Sequence, residues 1–141
     1  MKLSTRTRYG VRLMTALACA SKDKPVFLKD IAAAEEISEK YLSLIVIPLR
    51  GAGLIKSRRG ARGGYSLTKD PHDISLLNII EALDGKVSLV SCVKHPSECN
   101  RALLCPTRDV WSHLGSQISD SFNSILLSQL ADARNNKLNN S

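Results

Sequence analysis

Apolar residues recur along this chain mostly at helical intervals, with one short stretch in which they alternate. From Thr5 to Ala20, Tyr9, Leu13, Ala16, Leu17 and Ala20 keep the spacing of one helical face, and Arg6, Arg8 and Arg12 crowd near its start. Lys22–Pro25 reads as a polar turn, and Leu28–Glu35, with Ile31 and its alanines inward, as a second short helix. After a turn at Glu36–Ser38, Leu42, Ile45, Val46 and Leu49 fall at i, i+3, i+4 and i+7, while Glu39, Lys40, Ser43 and Arg50 lie off that stripe. Ser38 is placed to cap this helix with its hydroxyl, and Gly51 and Gly53 are placed to stop it. Pro48 lies inside it, where the missing N–H and the ring predict a kink or an early loosening. Two helices joined by a tight turn make a helix-turn-helix.

Beyond Gly53 the rhythm changes. Leu54–Arg58 and Gly64–Leu67 read as two short strands, joined by a turn that carries Gly60 and Gly63 and is flanked by Lys56, Arg58, Arg59 and Arg62. Gly60, Gly63 and Gly64 do not make a phosphate-binding loop, because no Lys-Ser/Thr pair follows and no helix opens there. Ile74–Leu83 is amphipathic through Leu76, Leu77, Ile79, Ile80 and Leu83, and ends at Gly85. Lys86–Pro106 shows no sustained period, so it reads as a loop that something must order. From Thr107 to about Leu130 a long helix is expected, with Trp111, Leu114, Ile118, Phe122, Ile125 and Leu126 in a near-heptad stripe. Two copies crossing in a symmetric dimer would bury such a stripe better than its own domain could. The tail from Arg134 reads as disordered.

The fold class that follows is mainly α with a small β-hairpin wing. The expected organisation is a winged helix-turn-helix domain of the kind that binds DNA over residues 1–85, a cysteine-containing loop placed to bind a cluster over 86–106, a dimerisation helix over 107–132 and a disordered tail over 133–141.

Charge sharpens this picture. Residues 1–70 carry 14 Lys and Arg against 6 Asp and Glu, whereas residues 71–141 carry 6 against 7, so the net charge of +7 belongs to the first half. A basic half with a surface helix and a basic wing favours an anionic partner, because neutralising phosphates releases counterions and dominates affinity for nucleic acid. Winged helices also serve as protein-binding modules, and that alternative stays open. No apolar run approaches a membrane span of roughly 20 residues, and Met1–Ala20 is interrupted by arginines unlike a secretory signal. The expectation is a cytoplasmic protein.

The chain has 4 cysteines, and Cys92, Cys99 and Cys105 crowd into the unpatterned segment as C-x6-C-x5-C. In a reducing compartment this argues against a disulfide framework and for metal. Thiolates suit iron-sulfur clusters and zinc alike, both usually with four ligands, so three cysteines leave one position open. An iron-sulfur cluster, zinc, a thiol redox switch and unligated cysteines all remain possible readings of the spacing. His95, Glu98 or Asp109 could complete a site. Cys19 falls near the packed side of the first helix and reads as a small buried thiol. His72 and His113 have no neighbours that mark a base or nucleophile, so no catalytic constellation is visible and an enzyme is not expected.

Four stretches, MKLSTRTRYG, ISEKYLSLIVIPLRGAGLI, RRGARGGYSL and CPTRDVW, resemble the Rrf-two family of bacterial winged helix-turn-helix transcriptional regulators over about residues 1–132. The resemblance implies a homodimeric regulator, a repressor by expectation, bound to a double-stranded DNA operator and without membrane attachment. Lys40, Tyr41 and Ser43 would then face base edges or nearby phosphates, Arg59 would enter the minor groove, and Arg6, Arg8, Arg50, Arg58 and Arg62 would hold the backbone. In IscR-, NsrR- and RirA-like members three loop cysteines hold a 2Fe-2S or 4Fe-4S cluster, and Cys92, Cys99 and Cys105 match them; CymR-like members lack them. Such a cluster would sense redox state, nitric oxide or iron. The alternative is a same-fold regulator without a cluster, controlled by zinc, thiol oxidation or a partner protein. Two departures are visible. Arg108 stands where IscR has its histidine ligand, and Arg8 where NsrR has an acidic one, so the fourth ligand is unassigned. Ser43-Leu44 replaces the Glu-Gln pair of the IscR recognition helix, so operator preference need not transfer.

Overall fold

The computed structural model describes residues 2–21 and 24–141; the Lys22–Asp23 half of the expected polar turn lies outside them. Helix α1 (Thr5–Cys19) opens on Ser4, whose Oγ accepts from the Thr7 N–H at 3.0 Å. Helix α2 (Leu28–Glu35) ends as Glu36 takes a left-handed backbone (φ 55°), which turns the chain and drops Ile37 into the core. Helix α3 (Glu39–Gly51) is capped by Ser38, whose Oγ accepts from the Tyr41 N–H at 3.2 Å.

Strands β1 (Ile55–Arg58) and β2 (Gly64–Leu67) pair antiparallel, with Ile55 opposite Leu67 and Arg58 opposite Gly64. The wing is anchored on its far side by Val26, which exchanges two backbone hydrogen bonds of 2.8 Å with Tyr65. That approach requires glycine at position 64: φ is +133° there and a Cβ would stand 2.5 Å from the Val26 carbonyl oxygen. Helix α4 (Leu76–Asp84) opens on a capping box in which Ser75 Oγ accepts from the Asn78 N–H at 3.1 Å and Asn78 Oδ1 accepts from the Ser75 N–H at 2.8 Å.

Helices α1, α3 and α4 enclose one core built on Leu13, Met14, Leu42, Ile45, Leu49, Ile74 and Ile79, all fully buried. Gly10 leaves room on α1. A Cβ there would lie 2.2 Å from Leu83 Cδ1, so the Leu83 side chain of α4 lies over the glycine of α1, while Ile45 Cγ2 of α3, at 3.5 Å, is at ordinary contact distance.

Three expectations change. The chain stays helical through Pro48 to Gly51, without the early loosening expected there; the carbonyl that the proline deprives of a donor belongs to Leu44, an exposed residue, where water can replace it. The unpatterned segment carries short helix α5 (Ser91–Lys94), a 3-10 turn over Pro96–Glu98 and further hydrogen-bonded turns that bury Ala102.

The third change is the largest. The long C-terminal helix is two: α6 (Pro106–Ser124) and α7 (Leu127–Asn139). Between them Ile125 and Leu126 are extended and pair with the chain ahead of α4: the Leu76 N–H donates to the Ile125 carbonyl and the Leu127 N–H to the Ile74 carbonyl, each at 2.8 Å. A continuous helix would have spent those groups internally and left Leu127, fully buried beside Ile74 in the core, unable to reach it. After the break α7 runs back across α1 and remains helical to Asn139, where a disordered tail was expected.

Asp84 ties the start of α1 to the end of α4. It accepts from Ser4 Oγ at 2.8 and 2.9 Å and from Thr7 Oγ1 at 2.5 Å, with Arg6 at 3.7 Å. Burial pushes its carboxyl up, but the Thr7 and Ser4 hydroxyls, the Ser4 backbone and the Arg6 cation outweigh this and hold it below the usual carboxylate range. A depressed carboxyl stabilises the fold above its unfolded pKa and loses that contribution as pH falls through the folded value. Asp84→Asn is therefore expected to lower unfolding free energy near neutral pH by about 1–2 kcal/mol. In urea titrations, the gap from wild type should narrow below the ordinary carboxylate pKa of 3.8.

Candidate nucleic-acid interface

With Leu42, Ile45, Val46 and Leu49 buried, the opposite face of α3 is forced outward. It presents Lys40, Ser43, Leu44, Ile47 and Arg50, all exposed. Ser43 Oγ donates to the Lys40 carbonyl at 2.6 Å within the helix. Tyr41 is half-buried, with its ring edge-on to Tyr9 at 5.6 Å and 89°, so it braces the helix against α1 as much as it faces outward.

Beside this face the wing holds Arg58, Arg59 and Arg62 exposed around a turn closed by the Gly63 N–H on the Gly60 carbonyl at 2.9 Å. At the start of α1, Arg8 is exposed and donates to Thr5 Oγ1 at 3.1 Å. Arg6 differs from the rest of the group. Its guanidinium folds back to donate to the Leu83 carbonyl and pairs with Asp84, so it helps close the α1–α4 junction. Two features go beyond the sequence reading, in which Leu44 marks a departure on the recognition helix and Ile47 is not named. Leu44 and Ile47 form the middle of the outward face of α3, at 58% and 56% exposure, which a helical projection from Lys40 at i+4 and i+7 would have placed there. The other is an ion-pair group behind the helix-turn-helix. Glu35, 13% exposed, accepts from Arg12 Nε at 3.1 Å and from Arg134 of α7 at 2.9 Å. Arg12 also lies over the Tyr9 ring at 5.6 Å, and the Cys19 thiol reaches the Ala131 carbonyl at 3.6 Å in the same α1–α7 seam.

Cys92 sits on α5, Cys99 follows the 3-10 turn and Cys105 is the N-cap of α6. The Cys105 thiol lies 3.0 Å from Thr107 Oγ1; that hydroxyl, then the Arg108 and Thr107 backbone and the Arg101 cation, hold it below the usual thiol range. Arg108 donates from Nε to the Cys92 carbonyl at 3.1 Å and so pins α5 to the first turn of α6. As a donor set, three thiols on one short segment suit iron-sulfur or zinc chemistry. Among the described residues, however, no three Cys, His, Asp or Glu side chains converge as a metal site, and His95, Glu98 and Asp109 are exposed and apart from any such group. Next to this segment lies an apolar surface: Leu103, Leu104, Val110, Trp111 and Leu114 are exposed, whereas Ile118 and Phe122 further along α6 are half-buried. No helix among the described residues is long and apolar enough to cross a membrane.

A helix-turn-helix with a two-stranded basic wing defines a winged-helix protein of the DNA-binding type. The chain belongs to the Rrf2 family, iron-dependent transcriptional regulators, which it matches over residues 3–133. It is 37% identical over 130 residues to the protein rrf2 of Nitratidesulfovibrio vulgaris, covering 92% of this chain and 87% of that one. It is 39% identical over 130 residues to the transcriptional regulator IscR of Vibrio campbellii, covering 92% and 77%. Among solved structures, CymR of Bacillus subtilis, described as the global cysteine regulator, superposes with a TM-score of 0.78 at 37% identity, covering 94% of this chain and 98% of that one. The family and the IscR relative are described as transcriptional regulators, a non-enzymatic role.

Glu35→Gln keeps the shape but weakens two charge-assisted hydrogen bonds. It is expected to lower stability by about 1 kcal/mol and to speed amide exchange in α7, read by mass spectrometry, while leaving far-ultraviolet circular dichroism unchanged.

Proposed function

We propose that this protein is a cytoplasmic, homodimeric repressor that grips an operator with α3 and the wing and reports the state of its cysteine segment to that grip. The observation that carries the reading is the basic helix-and-wing surface, hung on a fully buried α3 stripe, in a chain of the Rrf2 family. Lys40, Tyr41 and Ser43 meet base edges or adjoining phosphates, Arg59 enters the minor groove, and Arg8, Arg50, Arg58 and Arg62 hold phosphates. Arg6 contributes through the α1–α4 junction as well as through its charge. The exposed apolar residues of α6 are the surface on which a second copy would pack.

Cys92, Cys99 and Cys105 are the residues that would hold an iron-sulfur cluster. A bound cluster would supply iron that responds to oxidants, nitric oxide or iron supply. The chain's own contribution is mechanical: α5 is pinned to α6 by Arg108, α6 leads to the break at Ile125–Leu126, and α7 returns to Glu35 at the end of α2. A change in the cysteine segment can thus bias the placement of α3, provided its two states bind DNA differently.

A second reading keeps the operator and replaces the cluster with zinc, thiol oxidation or a partner protein. It is favoured by the absence, among the described residues, of three donors gathered as a metal site, and by Arg108, at the position of the IscR histidine, which is spent on the Cys92 carbonyl. Anaerobic purification with absorption spectra and iron and sulfide analysis separates the two. The cluster reading expects a brown, sulfide-containing wild type and a colourless Cys99→Ala; a wild type that stays colourless after reconstitution contradicts it. For the interface, Arg59→Ala is expected to weaken operator binding about 10-fold and to reduce the slope of log K against log salt by about 1. Unchanged anisotropy titrations would remove Arg59 from the contact.

A further inference from the structure

The proposed interface has an unusual centre. Along the outward face of α3 the order is Lys40, Ser43, Leu44, Ile47, Arg50: cations at the two ends and bare aliphatic carbon between them. Leu44 and Ile47 are 58% and 56% exposed, although the same helix buries four other aliphatics completely or nearly so. Neither side chain carries a polar atom, so neither contributes a base-edge hydrogen bond; the flanking Ser43 gives its proton to the Lys40 carbonyl at 2.6 Å and keeps only acceptor capacity toward a base. The major groove displays one apolar group, the thymine C5-methyl, which aliphatic side chains recognise by contact.

We infer that Leu44 and Ile47 are specificity-determining residues that read thymine methyl groups on neighbouring base pairs of the operator. Three residues of helix advance about 4.5 Å along its axis, against about 3.4 Å per base pair, so the two side chains address adjacent or next-adjacent steps. The surrounding charge commits the patch to DNA. A protein-binding surface is depleted of charge at its core and enriched in aromatic residues. Here two aliphatics lie between Lys40 and Arg50 and next to the exposed Arg58, Arg59 and Arg62, the distribution that a phosphate-lined groove complements. The inference rests on the operator-binding reading above and adds the base chemistry it selects.

The test begins with a duplex selected from a random library by the full-length protein. Each thymine is then replaced in turn by deoxyuridine, which removes the methyl and keeps every hydrogen-bonding group. In anisotropy titrations, wild type is expected to lose about 3- to 10-fold in affinity at one or two positions per half-site. Leu44→Ala and Ile47→Ala should each bind the unmodified duplex more weakly by a similar factor and become insensitive to the methyl at one of those positions. Both side chains are exposed, so unchanged thermal melts separate lost recognition from lost folding. A deoxyuridine scan flat within twofold, or variants that retain the wild-type pattern of sensitivity, would overturn the inference while leaving DNA binding intact. Failure of wild type to enrich any duplex with salt-dependent affinity would instead overturn the operator reading, and this inference with it.

Discussion

The structure depends on the burial of one stripe of α3. Leu42, Ile45 and Leu49 have no solvent exposure and Val46 almost none, which places them among the contacts that contribute most per residue to stability, about 1.5–3 kcal/mol for each full burial. Because a helix has a fixed period, fixing that stripe fixes everything opposite it. Lys40, Leu44, Ile47 and Arg50 face outward as a consequence of packing, with no separate device to aim them. The burial in turn needs α1, α3 and α4 packed on one another, and Gly10 leaves room on α1 for the Leu83 side chain of α4. Stability and presentation are the same geometric fact here.

The C-terminal part adds a path from the cysteine segment to that core. Had α6 and α7 been one helix, residues beyond Ser124 would have projected away from the domain. The extended residues Ile125 and Leu126, stitched to the chain ahead of α4, send α7 back over α1, where Arg134 meets Glu35 at the end of α2. Glu35 is mostly buried and held by two arginines from different helices, and removing one partner would leave the other's charge poorly compensated. The cysteine segment, the C-terminal helices and the helix-turn-helix therefore form a continuous series of packed elements. Which chemistry acts at the start of that series depends on whether the three thiols can be gathered around a metal.

Much of the DNA-binding half was legible in the sequence, because its signals are local. The i, i+3, i+4, i+7 stripe, the Ser38 cap, the glycine stop and the arginine-studded hairpin each depend on residues close together in the chain, and α2, α3, β1 and β2 fall within a residue of where those signals put them. What was not legible depends on partners distant in sequence. The break after Ser124 arises from backbone pairing between residues about fifty positions apart, and no local pattern announces it. The Glu35–Arg134 pair and the helical course of α7 past Arg134 follow from that same return. The cysteine spacing stated a chemistry without a geometry, and the structure supplies turns and an Arg108 brace but no convergent donor set among the described residues. Of the exposed pair on α3, Leu44 was legible as a departure from the IscR pattern, and Ile47 follows from the helical period once the buried stripe is known.

The most direct test of the central claim, that α3 and the wing form the nucleic-acid interface, is amide hydrogen exchange of the full-length protein with and without a selected operator duplex. Exchange should slow in the wing turn between Arg58 and Gly64 and around the N-terminal turn of α3, with little change at the centre of α1, which is already protected by burial. Slowing confined to residues 86–124, with the wing unchanged, would contradict the account and move the DNA-binding surface to the cysteine segment and α6.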